Sequence, residues 1–182
     1  FNRLRKNLRH WAKWARRNGI SCYRLYDRDV PEYPFVVDLY GDQVHLQEVE
    51  TGWQIEEDLY RAWLDSVVAA CADVLQLAPV AIHLKQRRRQ KGLDQYEKTG
   101  QSGDDFVVEE GGLKFSVNLD QYLDVGLFLD HRNTRAMVRE EARGKRFLNL
   151  FAYTGSFTVY AAHGGAASSV TVDMSNTYQA WT

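Results

Sequence analysis

A chain of 182 residues that is 45% hydrophobic and 26% charged, with only three prolines, has the composition of one or two folded domains and excludes a disordered, collagenous or low-complexity protein. Net charge is −1, from 23 Lys and Arg against 24 Asp and Glu, so any charged partner must be sought in how the charge is distributed. Cys22 and Cys71 are too few for a disulfide framework and lack CxxC spacing, which points to the cytoplasm, and the longest apolar run, Val67 to Ala72, is far short of the roughly 20 residues of a membrane helix.

Residues 1–20 carry seven Lys or Arg and no acid, with Leu4, Leu8, Trp11 and Ala15 at helical spacing and Gly19 as a stop. This predicts a basic amphipathic helix. Residues 21–60 reverse the sign, with ten acids against Arg24 and Arg28. Within them Cys22 to Tyr26 reads as a strand, and Phe35 to Tyr40 with Val44 to Val49 as a hairpin across Gly41-Asp42. From about Ile55 to Leu77, Leu59, Trp63, Val67, Cys71 and Val74 recur every three or four residues, giving a long helix that Pro79 ends. Val80 to Leu84 is a further strand, 86–103 a polar loop, and Phe106 to Val108 with Leu113 to Val117 a second hairpin across Gly111-Gly112. Residues 21–118 are therefore expected to form a small α+β domain.

The remaining residues, 119–182, change character. Asp130 to Ala142 reads as a helix and Phe147 to Phe151 as an apolar strand of the kind buried on both faces. Tyr153-Thr154-Gly155-Ser156 turns into a second helix, and Ser169 to Val172 is a strand that ends at Asp173. This is a βαβ unit, the start of a Rossmann-like domain, so the fold class is α/β: a small α+β domain, then the first part of a doubly wound sheet.

Chemistry concentrates at that unit. A glycine at the strand-to-helix turn lets the backbone approach a ligand, and an acid at the end of the next strand can accept hydrogen bonds from a ribose diol; Gly155 and Asp173 are 18 residues apart, near the spacing of nucleoside-binding units. The G-x-G-x-x-G fingerprint and a P-loop are both missing, so a dinucleotide or triphosphate is poorly served. S-adenosylmethionine has no phosphate, and the acid, the close turn and the aromatic surface suit it, although an ordinary βα turn shares the spacing. The other cluster is Lys85, Arg87, Arg88, Arg89 and Lys91, with Tyr96 and Lys98 following. Phosphate oxygens and an unpaired base suit it, as does plain solvation. The five histidines show no metal-ligand spacing, so no metal is expected.

Taken in order, Asn2-Arg-Leu-Arg-Lys-Asn7, Cys22-Tyr-Arg-Leu-Tyr-Asp27, Pro31-Glu-Tyr33, Arg89-Gln-Lys-Gly92, Gln95-Tyr96, Tyr122 to Arg132, Phe147 to Ser156 and Thr171-Val-Asp-Met-Ser175 closely resemble the C-terminal half of the bacterial bifunctional 23S rRNA guanine N2/N7-methyltransferases. The resemblance implies a class I methyltransferase that uses S-adenosylmethionine to methylate guanine N7 in 23S rRNA. A second, N2-guanine module is implied on the same parent chain. It further implies that Gly126 to Arg132 pack beside the cofactor, that Asn149, Phe151, Tyr153, Thr154 and Gly155 cradle its methionine end, that Asp173 holds the ribose, and that Met174 and Ser175 lie beside the adenine. The family's Asp-Pro-Pro motif would follow residue 182. The chain is thus read as a piece of something longer, inactive by itself, with its base-facing residues elsewhere. A binding reading competes with the enzyme: residues 1 to about 118 as an RNA-docking module without catalysis.

Overall fold

The computed structural model describes residues 2–87, 103–122 and 124–181, with only the backbone of Gln86 and Arg87. The chain divides into two compact units, 1–92 and 93–182.

In the first unit, helix α1 (Asn2–Arg17) precedes strands β1 (Cys22–Asp27), β2 (Phe35–Tyr40) and β3 (Gln43–Val49), helix α2 (Glu57–Leu75), a 3₁₀ turn (Pro79–Ala81) and strand β4 (Ile82–Arg87). The sheet order is β1-β2-β3-β4, antiparallel except for the last pair, where α2 supplies the crossover that a parallel pair needs. Alternation decides its faces. Phe35, Val37 and Leu39 on β2, Val44 and Leu46 on β3 and Ile82 on β4 join Leu4 and Ala15 of α1 and Val67, Cys71 and Val74 of α2 in one core. Because α1 contributes to that core, it is part of the small unit rather than a separate leader. Helix α2 ends at Leu75 because Gln76 turns left-handed at φ 57° and its N–H, with that of Leu77, reaches back to the Ala72 carbonyl. Pro79 instead opens the 3₁₀ turn.

The second unit holds the hairpin β5 (Phe106–Glu110) and β6 (Leu113–Val117), helix α3 (Arg132–Glu141), strand β7 (Arg146–Leu150), helix α4 (Ser156–His163), strand β8 (Ser168–Val172) and helix α5 (Asn176–Trp181). The hairpin was expected in the small domain, and its placement here has a definite cause. The Glu110 carboxylate is buried and receives Arg132 Nε at 3.0 Å, Arg135 Nε at 2.8 Å and Nη2 at 2.6 Å, and the Tyr160 hydroxyl at 3.1 Å, so β5 is tied to α3 and α4. Phe115 stacks on Tyr160 from the same side. The division therefore falls near residue 92 and not at 118.

Strands β7 and β8 are parallel and joined through α4, the expected βαβ unit. The expectation that β7 is buried on both faces fails. Asn149 is 9% exposed while Leu148 and Leu150 are 59% and 55% exposed, a period of two that marks one covered and one open face. The covered face is the one that meets α4.

Candidate functional site

Beyond β7 the chain enters a turn that side chains rarely adopt. Phe151 and Tyr153 take φ of 56° and 54°, and Gly155, which precedes α4, takes 70°. A left-handed non-glycine residue costs on the order of 1 kcal/mol or more, and persists only where its surroundings fix it. Here they do. The Tyr153 N–H donates to Asp173 Oδ2 at 2.7 Å, its hydroxyl accepts the Gly126 N–H at 2.6 Å, and the next side chain, Thr154 Oγ1, donates to the Gly126 carbonyl at 2.6 Å. The Tyr153 ring lies edge-on to Tyr178 at 4.5 Å and against Phe128 at 4.9 Å. Two consecutive residues of the turn thus clamp both polar groups of one glycine.

Asp173 follows β8 directly. One carboxylate oxygen takes the Tyr153 N–H, and the other takes the Ser175 N–H at 2.8 Å. These two main-chain bonds fix the carboxylate across the ends of the parallel strands, and an ionised carboxylate, with about four lone-pair sites, retains capacity for a diol. Beside it Phe151 and Met174 are 84% and 78% exposed, apolar surface that a planar heterocycle could cover. Ser175 accepts the Tyr178 N–H at 3.3 Å and so begins α5. The turn, the acid and the apolar pair are the groups an adenosyl cofactor needs: an acceptor for its ribose, a close backbone for its amino acid end and a surface for its base.

Of the residues expected to hold the cofactor, Phe151, Tyr153, Thr154, Gly155, Asp173, Met174 and Ser175 gather at this point. Arg132 and Asn149 do not. Arg132 is committed to Glu110, and the Asn149 amide donates to Thr158 Oγ1 at 3.0 Å, which meets Thr171 Oγ1 at 2.8 Å. Asn149 is therefore a strand-to-helix tie on the covered face of β7.

The basic cluster divides differently. Lys85 lies on β4 opposite Gln47 with its side chain buried, which removes it from any set of phosphate contacts. Arg87 is the last residue of β4, and Arg88, Arg89 and Lys91 lie outside the described residues. Among the described residues no group of three or more His, Cys, Asp or Glu could hold a metal, and no helix is long and apolar enough to cross a membrane.

Sequence reasoning missed two buried polar features. One is Glu110 with Arg135 and Tyr160, whose hint in the sequence is a pair of arginines three apart ahead of β7. Burial and the neighbouring carboxylate push the Tyr160 phenol up to about 12. The other is the polar face of the first unit's sheet. There Arg24 grips Asp38 through two bonds of 2.8 and 3.0 Å, and His45, 5% exposed, has an Nε2 without a partner among the described residues. Burial, then Lys85, His83 and Arg24, hold the His45 imidazole down to about 3.

Comparison with known proteins gives this geometry a family. The chain is 66% identical over 180 residues to ribosomal RNA large subunit methyltransferase K of Neisseria meningitidis, covering 99% of this chain and 51% of that protein. It is 55% identical to the ribosomal RNA large subunit methyltransferase K/L of Methylococcus capsulatus, covering 25% of it. This chain thus spans about half of the first relative and a quarter of the second. Among solved structures, a candidate S-adenosylmethionine-dependent methyltransferase from Streptococcus mutans superposes with a TM-score of 0.76 at 27% identity, over 99% of this chain and 46% of that one. A second candidate methyltransferase, solved with S-adenosylhomocysteine, superposes with a TM-score of 0.70 at 28% identity over 98% of this chain and 46% of its own. Residues 47–180, which include the left-handed turn and Asp173, match the model of one family along their whole length, and the chain belongs to the S-adenosylmethionine-dependent methyltransferases.

Proposed function

We propose that this chain is part of a cytoplasmic enzyme that methylates N7 of a guanine in 23S rRNA. The observation that carries the reading is the Asp173 carboxylate, fixed by the N–H groups of Tyr153 and Ser175 beside a left-handed turn. S-adenosylmethionine, when bound, supplies a methyl group already activated on a sulfonium. The chain's own residues hold and orient it. Asp173 accepts from the ribose hydroxyls, Phe151 and Met174 cover the adenine, and the backbone of residues 151–155 meets the amino acid end, with Tyr153 and Thr154 keeping the Gly126 segment in place. Arg132 and Asn149 support the site without touching the cofactor.

Guanine N7 presents a lone pair and carries no proton, so transfer needs alignment rather than a base or a covalent nucleophile. Arg87, Arg88, Arg89 and Lys91 contact the rRNA backbone in this proposal. The same parent chain carries, in this proposal, a second module that methylates a guanine at N2. In this proposal the isolated 182 residues do not turn over.

The experiment is Asp173→Ala in the full-length protein. Losing hydrogen bonds to a charged acceptor is expected to weaken S-adenosylhomocysteine binding about 10- to 100-fold in calorimetry and to remove the N7 methyl from 23S rRNA, read by mass spectrometry. Unchanged affinity together with unchanged methylation would refute the proposal.

A further inference from the structure

Resting on the rRNA reading, we infer that the outer face of α1 is a second RNA-docking surface, a ridge that binds the phosphate backbone of a duplex. The helix is held in one rotational setting. Leu4 and Ala15 are buried in the core, the Asn7 amide donates to the Leu25 carbonyl at 2.9 Å and to Asp29 at 2.8 Å, and Arg3 and Arg5 pair with Asp29 and Asp73. That setting turns Lys6, Arg9, Lys13, Arg16 and Arg17 away from the sheet. All five are exposed, and none forms an ion pair among the described residues.

Their spacing of three, four, three and one places them along one side of a helix over about 16 Å. Lys6, Arg9 and Lys13 line one open cleft on this side, and Lys13, Arg16 and Arg17 line the next. With no acid anywhere in α1, such a face complements a polyanion. A basic amphipathic helix can also lie on an anionic membrane, but only by burying its apolar face in the lipid. Here Leu4 and Ala15 are already spent on the core, and although Trp11 and Trp14 stay 38% and 37% exposed, the arc of the helix that holds the five cations carries no apolar side chain. A duplex backbone, with one charge per ~1.7 Å of its axis, offers this ridge several phosphates at once.

The test is binding of the 182-residue chain to a fluorescent 20-base-pair RNA duplex across a salt series, with phosphatidylserine vesicles in parallel. Five phosphate contacts predict a plot of log affinity against log salt with a slope of about −4.5. The variant with Lys6, Arg9, Lys13 and Arg16 all replaced by Gln should bind at least about 10-fold more weakly at 100 mM salt and lose about 3.6 of that slope. Because four changes could unsettle a helix, each single variant is measured too and should lower the slope by about 0.9, while Arg9→Lys and Arg16→Lys leave it unchanged. Equal binding by the Gln variants overturns the ridge and leaves the rRNA substrate standing, since methylation by the full-length protein is read separately. Absence of duplex binding at 50 mM salt, or preference for the vesicles, overturns it as well.

Discussion

At the scale of single residues, the buried polar groups carry the sharpest consequences. His45 lies in the sheet's polar face opposite Asp38, whose carboxylate Arg24 holds, and burial first, then Lys85, His83 and Arg24, oppose its protonation. Its folded value of about 3 lies below the roughly 6.5 of an exposed histidine. Between those values the unfolded chain binds a proton that the folded chain refuses, so stability is complete above pH 6.5 and drains away as the pH falls toward 3. On this basis the protein should lose on the order of 3 kcal/mol between pH 6.5 and 4 from this one group. His45→Phe, which keeps the ring and removes the titration, should show a visibly flatter decline in urea midpoint over that interval. Parallel declines for the two proteins would mean that His45 is protonated in the fold after all. Glu110 is the counterpart in the second unit, a buried acid bonded by two arginines and a tyrosine hydroxyl, and its worth lies as much in joining three elements as in charge.

Elements explain why the site is rigid. The segment ahead of α3 has no regular structure of its own, yet it is pinned at both ends. The Gly126 N–H and carbonyl bond to Tyr153 and Thr154, and the Phe128 carbonyl accepts Arg135 Nη2 at 2.8 Å. Gly126 sits at φ 109°, and a Cβ there would lie 2.9 Å from the Ser116 carbonyl and 3.0 Å from the Trp181 ring. Gly126→Ala is therefore strained twice, by conformation and by contact with backbone. It should destabilise the second unit by about 1–3 kcal/mol and, by releasing Tyr153, weaken S-adenosylhomocysteine binding beyond what the lost stability accounts for. Thermal melts and calorimetry on the same variant separate the two effects. Full affinity at a lowered melting temperature would show that the segment does not position the turn.

The whole molecule shows which parts of a fold a sequence exposes. Strands β2 and β3, the long helix α2 and the β7–α4–β8 unit were legible because apolar periodicity and turn glycines are local. The place of Asp173 at the end of β8 was legible for the same reason, since a strand-end acid after a βα turn needs only counting. The hairpin's membership was not, because Glu109-Glu110-Gly111-Gly112 reads as a surface turn and its partners Arg132, Arg135 and Tyr160 lie 22, 25 and 50 residues away. That the Arg132 side chain bonds Glu110 and the Asn149 amide bonds Thr158 was not legible either, because a resemblance gives a position along the chain but not the partners of a side chain. Lys85 was counted among surface cations because the extent of β4 and the burial of its polar face depend on distant neighbours.

The two proposals assign the chain two ligand surfaces of different chemistry, one per unit: a carboxylate and backbone turn for an adenosyl group, and a row of cations for a polyanion. Hydrogen exchange can test that division in one experiment, because a ligand slows exchange where it orders or covers the backbone it touches. S-adenosylhomocysteine added to the full-length protein should protect peptides spanning 124–128, 151–156 and 173–176, where the Tyr153 and Ser175 amides already bond to Asp173. It should leave α1 unchanged. Duplex RNA should do the reverse, slowing exchange in residues 2–18 through the order it imposes on an exposed helix. If the nucleoside protects none of the three second-unit segments, the Asp173 turn is scaffold and the cofactor is held elsewhere. If each ligand protects its own unit, the chain's net charge of −1 conceals a division of labour that only the placement of its charges reveals.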